Sequence, residues 1–193
     1  MFLSVTNKDL RRQAYKTSCW ITASHFLLEY VGVSVPIDTL HAKYYKPDKS
    51  SASVMSGAGQ PKTILNEYAI DAGRFVATAN VQADDKRAVI DAIAESIRND
   101  MPVIAAIRTR QILGFGHALL ITAVDPDTGT IAFKDPGDGT TPRPFGVDVR
   151  TVQYDAFHDG FAYKYHRGMQ QTVTVYADGL TYLRTLDKMS LFG

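Results

Sequence analysis

The most reactive side chain in this sequence belongs to Cys19, its single cysteine. Apolar residues recur at helical spacing over 19–31, with Thr17 or Ser18 placed to cap the helix and Gly32 placed to end it. In the first helical turn, unpaired backbone N–H groups and the helix dipole favour a thiolate and lower the pKa of a thiol. The pattern therefore predicts a nucleophile, although a free cysteine is more often a small buried apolar residue.

A cysteine nucleophile needs a base, and the sequence offers five histidines. His117 is the best placed, because it opens the apolar strand predicted at 116–124, directly after a glycine-rich loop. A histidine that ends a strand at the surface would fit the same pattern. The other four lie on the helix of the cysteine, on a predicted surface helix or in the last third of the chain: His25, His41, His158 and His166. His25 falls about 240° around the helix from Cys19, which makes it a poor partner.

Two further polar residues complete the candidate site. The strand that His117 opens and the strand that follows it predict a hairpin, which brings Asp135 opposite or nearly opposite the histidine. A carboxylate there would orient the imidazole, although an aspartate in a turn is also common. Gln13, six residues before Cys19, could donate its amide to an oxyanion, or it could be an ordinary surface glutamine. Nearby competitors for the carboxylate role are Asp125 and Asp138.

The elements that must position these residues are helices first and an antiparallel sheet second, which indicates the α+β class. Beyond the helix of the cysteine, helical periodicity and caps predict helices at 38–45, 61–72 and 83–99. The intervening polar, glycine-containing segment 46–60 reads as a loop. Apolar runs between turn signals predict strands at 74–79, 102–108, 116–124 and 130–134, and near 161–166 and 172–176. Without a repeat or a clear boundary, 1–193 is predicted to be a single domain.

Composition excludes several classes of protein. A formal net charge of +1 gives no electrostatic footprint for nucleic acid or a membrane surface. No apolar run approaches the roughly 18 residues of a membrane span, and the N-terminus carries no signal-peptide pattern. A single cysteine excludes an intramolecular disulfide framework. We therefore expect a soluble globular protein that binds neither nucleic acid nor membrane.

The segment QAYKTSCW, residues 13–20, resembles the active-site signature of papain-like cysteine peptidases. In that signature, a glutamine lies six residues before a cysteine that tryptophan follows, and a helix starts there. Gly116-His117-Ala118 on a strand and Asp135-Pro136 after the next strand resemble the compact bacterial branch, with its C39-like and AvrRpt2-like (C70) peptidases. The resemblance covers roughly residues 9–140, with the residue types in the order of the family.

The resemblance implies a papain-like fold, in which N-terminal helices pack on a C-terminal antiparallel sheet. It implies that Cys19 is the nucleophile, paired as a thiolate with protonated His117. It further implies that Asp135 orients His117, and that Gln13 and the backbone N–H of Cys19 form the oxyanion hole. No metal or organic cofactor is implied. The residues expected near the site are Trp20, which would pack beside it, and Gly116.

The implied activity is hydrolysis of a peptide bond in a protein or peptide substrate through an acyl-enzyme. The same residues would also serve deamidation, transamidation or peptidoglycan amide hydrolysis, and a C39-like domain can bind a peptide without cleaving it. By analogy with such peptidases, we expect a bacterial effector or toxin that acts on a host or immunity protein. It would be located in the cytoplasm or exported by a specialised non-Sec route. The sequence predicts neither the scissile sequence nor the oligomeric state, nor the role of 46–60 and 141–193.

Overall fold

The structure is a computed structural model, and it describes residues 1–15, 18–45, 59–71, 76–82, 85–109, 116–137, 149–154, 166–169 and 172–178. The helices in these ranges are α1 (Cys19–Tyr30), α2 (Ile37–Tyr44), α3 (Gly59–Asp71) and α4 (Lys86–Arg98). The strands are β1 (Leu3–Ser4), β2 (Val76–Gln82), β3 (Val103–Thr109), β4 (Gly116–Asp125), β5 (Thr130–Lys134), β6 (Val149–Gln153), β7 (His166–Met169) and β8 (Thr172–Asp178). None of the described helices is long and apolar enough to cross a membrane.

The main sheet is antiparallel and contains six strands. Five of them follow the order β6-β5-β4-β3-β7, and β1 is the sixth. β3 begins opposite Ile121 of β4, and β1 pairs with the next part of β4, at Ala123 and Val124. The first strand of the chain, β1, is therefore part of the main sheet. β2 and β8 pair with each other in a separate antiparallel sheet.

Helices cover both faces of the main sheet. Ala118 and Leu120 of β4 pack in one core cluster with α1, α2 and α3. Leu119 and Ile121, which alternate with them, pack in a second cluster with the apolar stripe of α4. This arrangement confirms the α+β class and the packing of N-terminal helices on an antiparallel sheet. It adds that the fourth helix covers the opposite face.

The hairpin of β4 and β5 forms as predicted, with a four-residue turn at 126–129. The turn closes with a hydrogen bond from Gly129 N–H to the carbonyl of Asp125 (2.8 Å). Gly129 adopts a φ of 69°, in the left-handed region that glycine enters at little cost. Leu120 pairs with Lys134 at the other end, so the end of β5 reaches the level of the start of β4.

Two predicted helix boundaries are wrong. α3 begins at Gly59, so the last two residues of the segment predicted as a loop at 46–60 are helical, and Pro61 occupies the first turn, where it needs no N–H bond. α4 begins at Lys86 rather than at residue 83, because Asp85 caps it by accepting a hydrogen bond from the N–H of Ala88 (3.1 Å). The rest of the predicted loop, 46–58, lies outside the described residues.

The strands also differ from their predictions. β6, at an edge of the main sheet, is not predicted, because three of the five residues in VRTVQ are polar and they do not alternate regularly with the two valines. β2 continues to Gln82, three residues beyond its predicted end, where it pairs with Thr172. Of the strand predicted near 161–166, only His166 is described, and it begins β7.

Candidate active site

Cys19 is the first residue of α1, as the sequence predicts. Ser18 is the N-cap residue, and its carbonyl accepts the first helical hydrogen bond from the N–H of Thr22 (3.1 Å). Every residue of α1 from Cys19 to Leu28 is buried. The helix is therefore buried on all sides over these residues and passes through the core, so packing fixes where it starts.

The thiol of Cys19 contacts the strand that carries the predicted base. Cys19 is only 2% exposed, which a small core residue would also show. Its Sγ atom accepts a hydrogen bond from the backbone N–H of Ala118 at 3.5 Å. Ala118 directly follows His117 in β4, so this contact brings together two parts of the chain 99 residues apart. The sulfur therefore lies beside the backbone of the histidine strand.

The backbone of His117 lies in β4, where it pairs with Ile107 of β3. Gly116 begins the strand and pairs with Arg108. The histidine thus lies at the start of a strand, as predicted, with a neighbouring strand that fixes its register, whereas the glycine-rich loop predicted before it lies outside the described residues. Its imidazole lies outside the described part of the structure, so the pairing of thiol and imidazole stays a prediction.

Asp135 directly follows β5 and is 1% exposed. Its Oδ1 atom accepts a hydrogen bond from the N–H of Gly137 at 2.7 Å, the local bond that a turn aspartate makes. Aspartate is seldom buried this completely in an ordinary surface turn. Because β5 ends opposite Leu120, Asp135 lies at the end of the hairpin where β4 begins. Asp125 lies at the opposite end, by the connecting turn, which removes it as a competitor, and Asp138 lies outside the described residues.

Gln13 is held against the turn that contains Asp135. Its backbone N–H donates to the carbonyl of Pro136 at 2.9 Å. Its side-chain Nε2 donates to the carbonyl of Tyr15 at 2.8 Å. Gln13 is therefore more than a solvated surface residue: its main chain is joined to the end of β5, and its amide is turned toward the segment that leads to Cys19.

Trp20 packs in the core beside the candidate nucleophile. It is 7% exposed and meets the ring of Tyr44 edge-on, with 6.3 Å between centroids. Both rings belong to the cluster that surrounds Cys19. The arrangement fits packing beside the site rather than a chemical role.

The other histidines on the first two helices serve elsewhere. The Nε2 atom of His25 donates a hydrogen bond to the carbonyl of Val35 (2.8 Å), consistent with its predicted orientation away from the thiol. His41 lies on a surface helix, as predicted, since four of the eight residues of α2 are exposed. Because α2 packs against α1, however, His41 itself is only 5% exposed. The ring of Tyr15 covers it edge-on at 5.0 Å. Burial lowers the pKa of His41, which favours the neutral imidazole.

Sequence reasoning missed Lys134, which is 6% exposed next to Asp135. Its ammonium donates to the Oδ1 atom of Asn7 (3.2 Å) and to the carbonyl of Lys8 (2.7 Å). Burial lowers the pKa of Lys134. Strand alternation was the available signal, because a strand whose Phe133 faces α4 must turn Lys134 to the face of α1. Among the residues that the structure describes, no group of three His, Cys, Asp or Glu side chains is placed to hold a metal ion.

The chain is similar to one peptidase family and to solved peptidase domains. The model of the Peptidase_C39 like family matches residues 5–166. No curated protein matches the chain. A double glycine motif protease from an AMS/PCAT transporter, solved in complex with a leader peptide, has 10% identity and a TM-score of 0.51, over 91% of this chain and 98% of that one. The peptidase domain of Streptococcus ComA, a bifunctional ABC transporter involved in quorum sensing, has 12% identity and a TM-score of 0.52, over 89% of this chain and 99% of that one.

Proposed function

The chain belongs to the peptidase C39-like family, and from this premise we propose that it is a cysteine peptidase that hydrolyses a peptide bond through a thioester acyl-enzyme. The observation that carries the proposal is the contact between Cys19 Sγ and the N–H of Ala118, the residue after His117. A second long-range contact, from Gln13 to Pro136, supports it, because it holds Gln13 beside Asp135. The peptidases that share this fold support a peptide as the substrate class.

In the proposed reaction, the thiolate of Cys19 attacks the carbonyl carbon of the scissile bond. The C–S bond forms, and the carbonyl electron pair moves to oxygen, where Gln13 and the N–H of Cys19 stabilise it. When the C–N bond breaks, the imidazolium of His117 gives its proton to the leaving amine. His117 then takes a proton from water, which attacks the thioester carbonyl; the C–S bond breaks and releases the acid and the thiolate, which restores the thiolate–imidazolium pair. Asp135 orients the imidazole throughout.

The position of Cys19 suits this role on electrostatic grounds. The first turn of a helix presents partial positive charge, which stabilises a thiolate relative to a thiol. The burial of the sulfur keeps water from screening that field. The presence of a cysteine at this position favours catalysis over peptide binding alone.

The test is cleavage of a peptide library by wild-type protein and by Cys19→Ala and His117→Ala. The library should include peptides with two adjacent glycines, because one solved protein of similar fold is a double glycine motif protease. We expect specific cleavage by wild type and none by either variant, with folding checked by circular dichroism. Asp135→Asn should slow cleavage, whereas Asp127→Asn, at an exposed turn aspartate, is the matched control and should not.

Mass spectrometry of the products separates peptide hydrolysis from its alternatives. Hydrolysis gives two fragments, deamidation leaves one chain of nearly unchanged mass, and transamidation joins two molecules. Cleavage that persists in Cys19→Ala would contradict the assigned nucleophile. Slow labelling of Cys19 by a thiol-reactive probe, together with tight binding of an uncleaved peptide, would instead favour a binding domain. An effector or toxin role and a route of export remain predictions from analogy.

A further inference from the structure

The hydroxyl group of Ser18 is buried and does not cap the helix that begins beside it. An N-cap serine normally accepts a hydrogen bond from an N–H of the first helical turn. Within the described part of the chain, the Ser18 side chain makes no such capping bond. Its Oγ atom instead accepts from the N–H of Tyr15 (3.2 Å) and donates to the carbonyl of Tyr15 (3.0 Å). A single side chain therefore contacts both backbone polar groups of Tyr15, and the backbone N–H of Ser18 also donates to the Tyr15 carbonyl (3.1 Å).

The Tyr15 carbonyl is also the acceptor for the side-chain amide of Gln13, at 2.8 Å. The amide group is planar and carries two N–H bonds on one nitrogen, so this bond sets the direction of the second N–H as well. The main chain of Gln13 is fixed separately, by its bond to Pro136. The backbone of Gln13 is thus held by the turn after β5, and its amide by a carbonyl that Ser18 holds.

We propose that Ser18 is a positioning residue for the oxyanion donor: its hydroxyl binds both polar groups of the Tyr15 backbone and, together with the Ser18 N–H, fixes the Tyr15 carbonyl, which orients the Gln13 amide toward the reaction at Cys19. The inference rests on the proposed function, in which Gln13 stabilises the oxyanion. Removal of an oxyanion donor lowers kcat by about 10²–10³. Loss of the group that orients the donor leaves the donor in place, so Ser18→Ala should lower kcat by less, roughly tenfold.

The experiment compares two reactions of the same thiol. Peptide hydrolysis passes through an oxyanion, whereas alkylation by iodoacetamide is a displacement at carbon that forms none. We expect Ser18→Ala to lower kcat about tenfold, with KM, the alkylation rate and the pH profile of alkylation unchanged. In a Gln13→Ala background, Ser18→Ala should cause no further loss, because the group that it orients is absent.

Ser24→Ala is the matched control. Ser24 is a fully buried serine of the same helix, and its Oγ atom donates to the carbonyl of Trp20 (2.7 Å), one turn back. It should leave kcat, KM and alkylation near their wild-type values. If Ser18→Ala does not fold, Ser18→Gly replaces it, since glycine is well tolerated at an N-cap.

Three results would overturn the proposal: an unchanged kcat in Ser18→Ala, a fall in alkylation rate equal to the fall in kcat, or losses that multiply with those of Gln13→Ala. A peptidyl aldehyde, acetyl-glycyl-glycinal, separates this failure from failure of the proposed function. The thiolate adds to its carbonyl carbon and creates the same oxyanion without hydrolysis. Weaker protection of Cys19 by the aldehyde in Ser18→Ala supports the role, and equal protection overturns it whatever the hydrolytic activity. If wild type neither cleaves peptides nor binds the aldehyde, the proposed function itself is overturned.

Discussion

Replacement of Lys134 by methionine tests whether a buried ammonium holds the N-terminal segment, residues 5–15, against the hairpin of β4 and β5. The ammonium of Lys134 lies 5.7 Å from the ring centroid of Phe26 in α1. Its two hydrogen bonds end on Asn7 (3.2 Å) and on the carbonyl of Lys8 (2.7 Å). Methionine keeps most of the length and the apolar stem, and it removes the charge and both bonds.

The expected loss follows from these two bonds and from the cost of burial. A hydrogen bond from a charged donor contributes roughly 1.5–3 kcal/mol. Desolvation of the ammonium, which lowers the pKa of Lys134, offsets part of that gain. We therefore expect the free energy of unfolding to fall by about 2–3 kcal/mol, or about 4–12 °C in Tm for a domain of this size.

The pH dependence gives a second signature. Because the pKa of Lys134 lies below its ordinary value of 10.5 in the folded protein, the folded state releases this proton first as pH rises. Between the two pKa values the unfolded state binds more protons, so wild type should gain stability relative to Lys134→Met as pH rises toward 10.5. Below the pKa of the folded state, the difference between the two proteins should not change with pH.

Urea unfolding followed by circular dichroism measures both effects. Lys43→Met is the matched control, because the side chain of Lys43 is 51% exposed and pairs with Glu67 at the surface. Such pairs contribute about 0–1 kcal/mol. In the Lys134→Met background, Asn7→Ala should cost less than it does in wild type. Equal stability of Lys134→Met and wild type, or an equal loss in Lys43→Met, would refute the reasoning.

Two further predictions concern the helices. Burial lowers the pKa of His41 from its ordinary value of 6.5, so the unfolded state takes up a proton first as pH falls, and stability is lost from about pH 6.5 downward. The variant His41→Phe should remove this part of the acid destabilisation. Parallel Tm–pH curves for wild type and His41→Phe would contradict the assignment. Asp85→Ala removes the cap of α4 and should cost about 1 kcal/mol in urea unfolding. The control Asp91→Ala, which removes only an exposed pair with Arg87, should cost a few tenths, and similar losses in both variants would count against the cap.

Features with local causes could be predicted from the sequence. Apolar periodicity predicts that α1 starts at Cys19, and the structure agrees, with Ser18 as the N-cap residue. Turn residues between two apolar runs predict the hairpin and bring Asp135 to the same end as the start of β4. The match to the C39-like family confirms the resemblance that the segments 13–20, 116–118 and 135–136 together indicate.

Features with long-range causes could not be predicted. The burial of His41 depends on Tyr15 and on the packing of α2 against α1, which no local pattern shows. β6 forms because it can pair with the exposed edge of β5, although three of its own five residues are polar. The hydroxyl of Ser18 is predicted as a helix cap from its position, and only the course of the backbone at Tyr15 redirects it.

The N-terminal segment explains why the spacing of Gln13 and Cys19 is informative yet insufficient. Beyond β1 it has no regular structure, and it is fixed at intervals by other parts of the fold. The N–H of Val5 donates to the carbonyl of Thr122 in β4 (3.0 Å), and the ammonium of Lys8 donates to the last turn of α1 (2.6 Å). Gln13 then meets the turn after β5.

These contacts decide whether a glutamine six residues before the cysteine can act on the same atom. The segment is joined to the strand that contains His117, to the helix that begins at Cys19 and to the strand that precedes Asp135. Release of the segment would move Gln13 away and leave the thiol in place, since Cys19 is held by its helix and by Ala118. Under the proposed function, variants along residues 5–15 should therefore lose oxyanion stabilisation while the thiol stays intact.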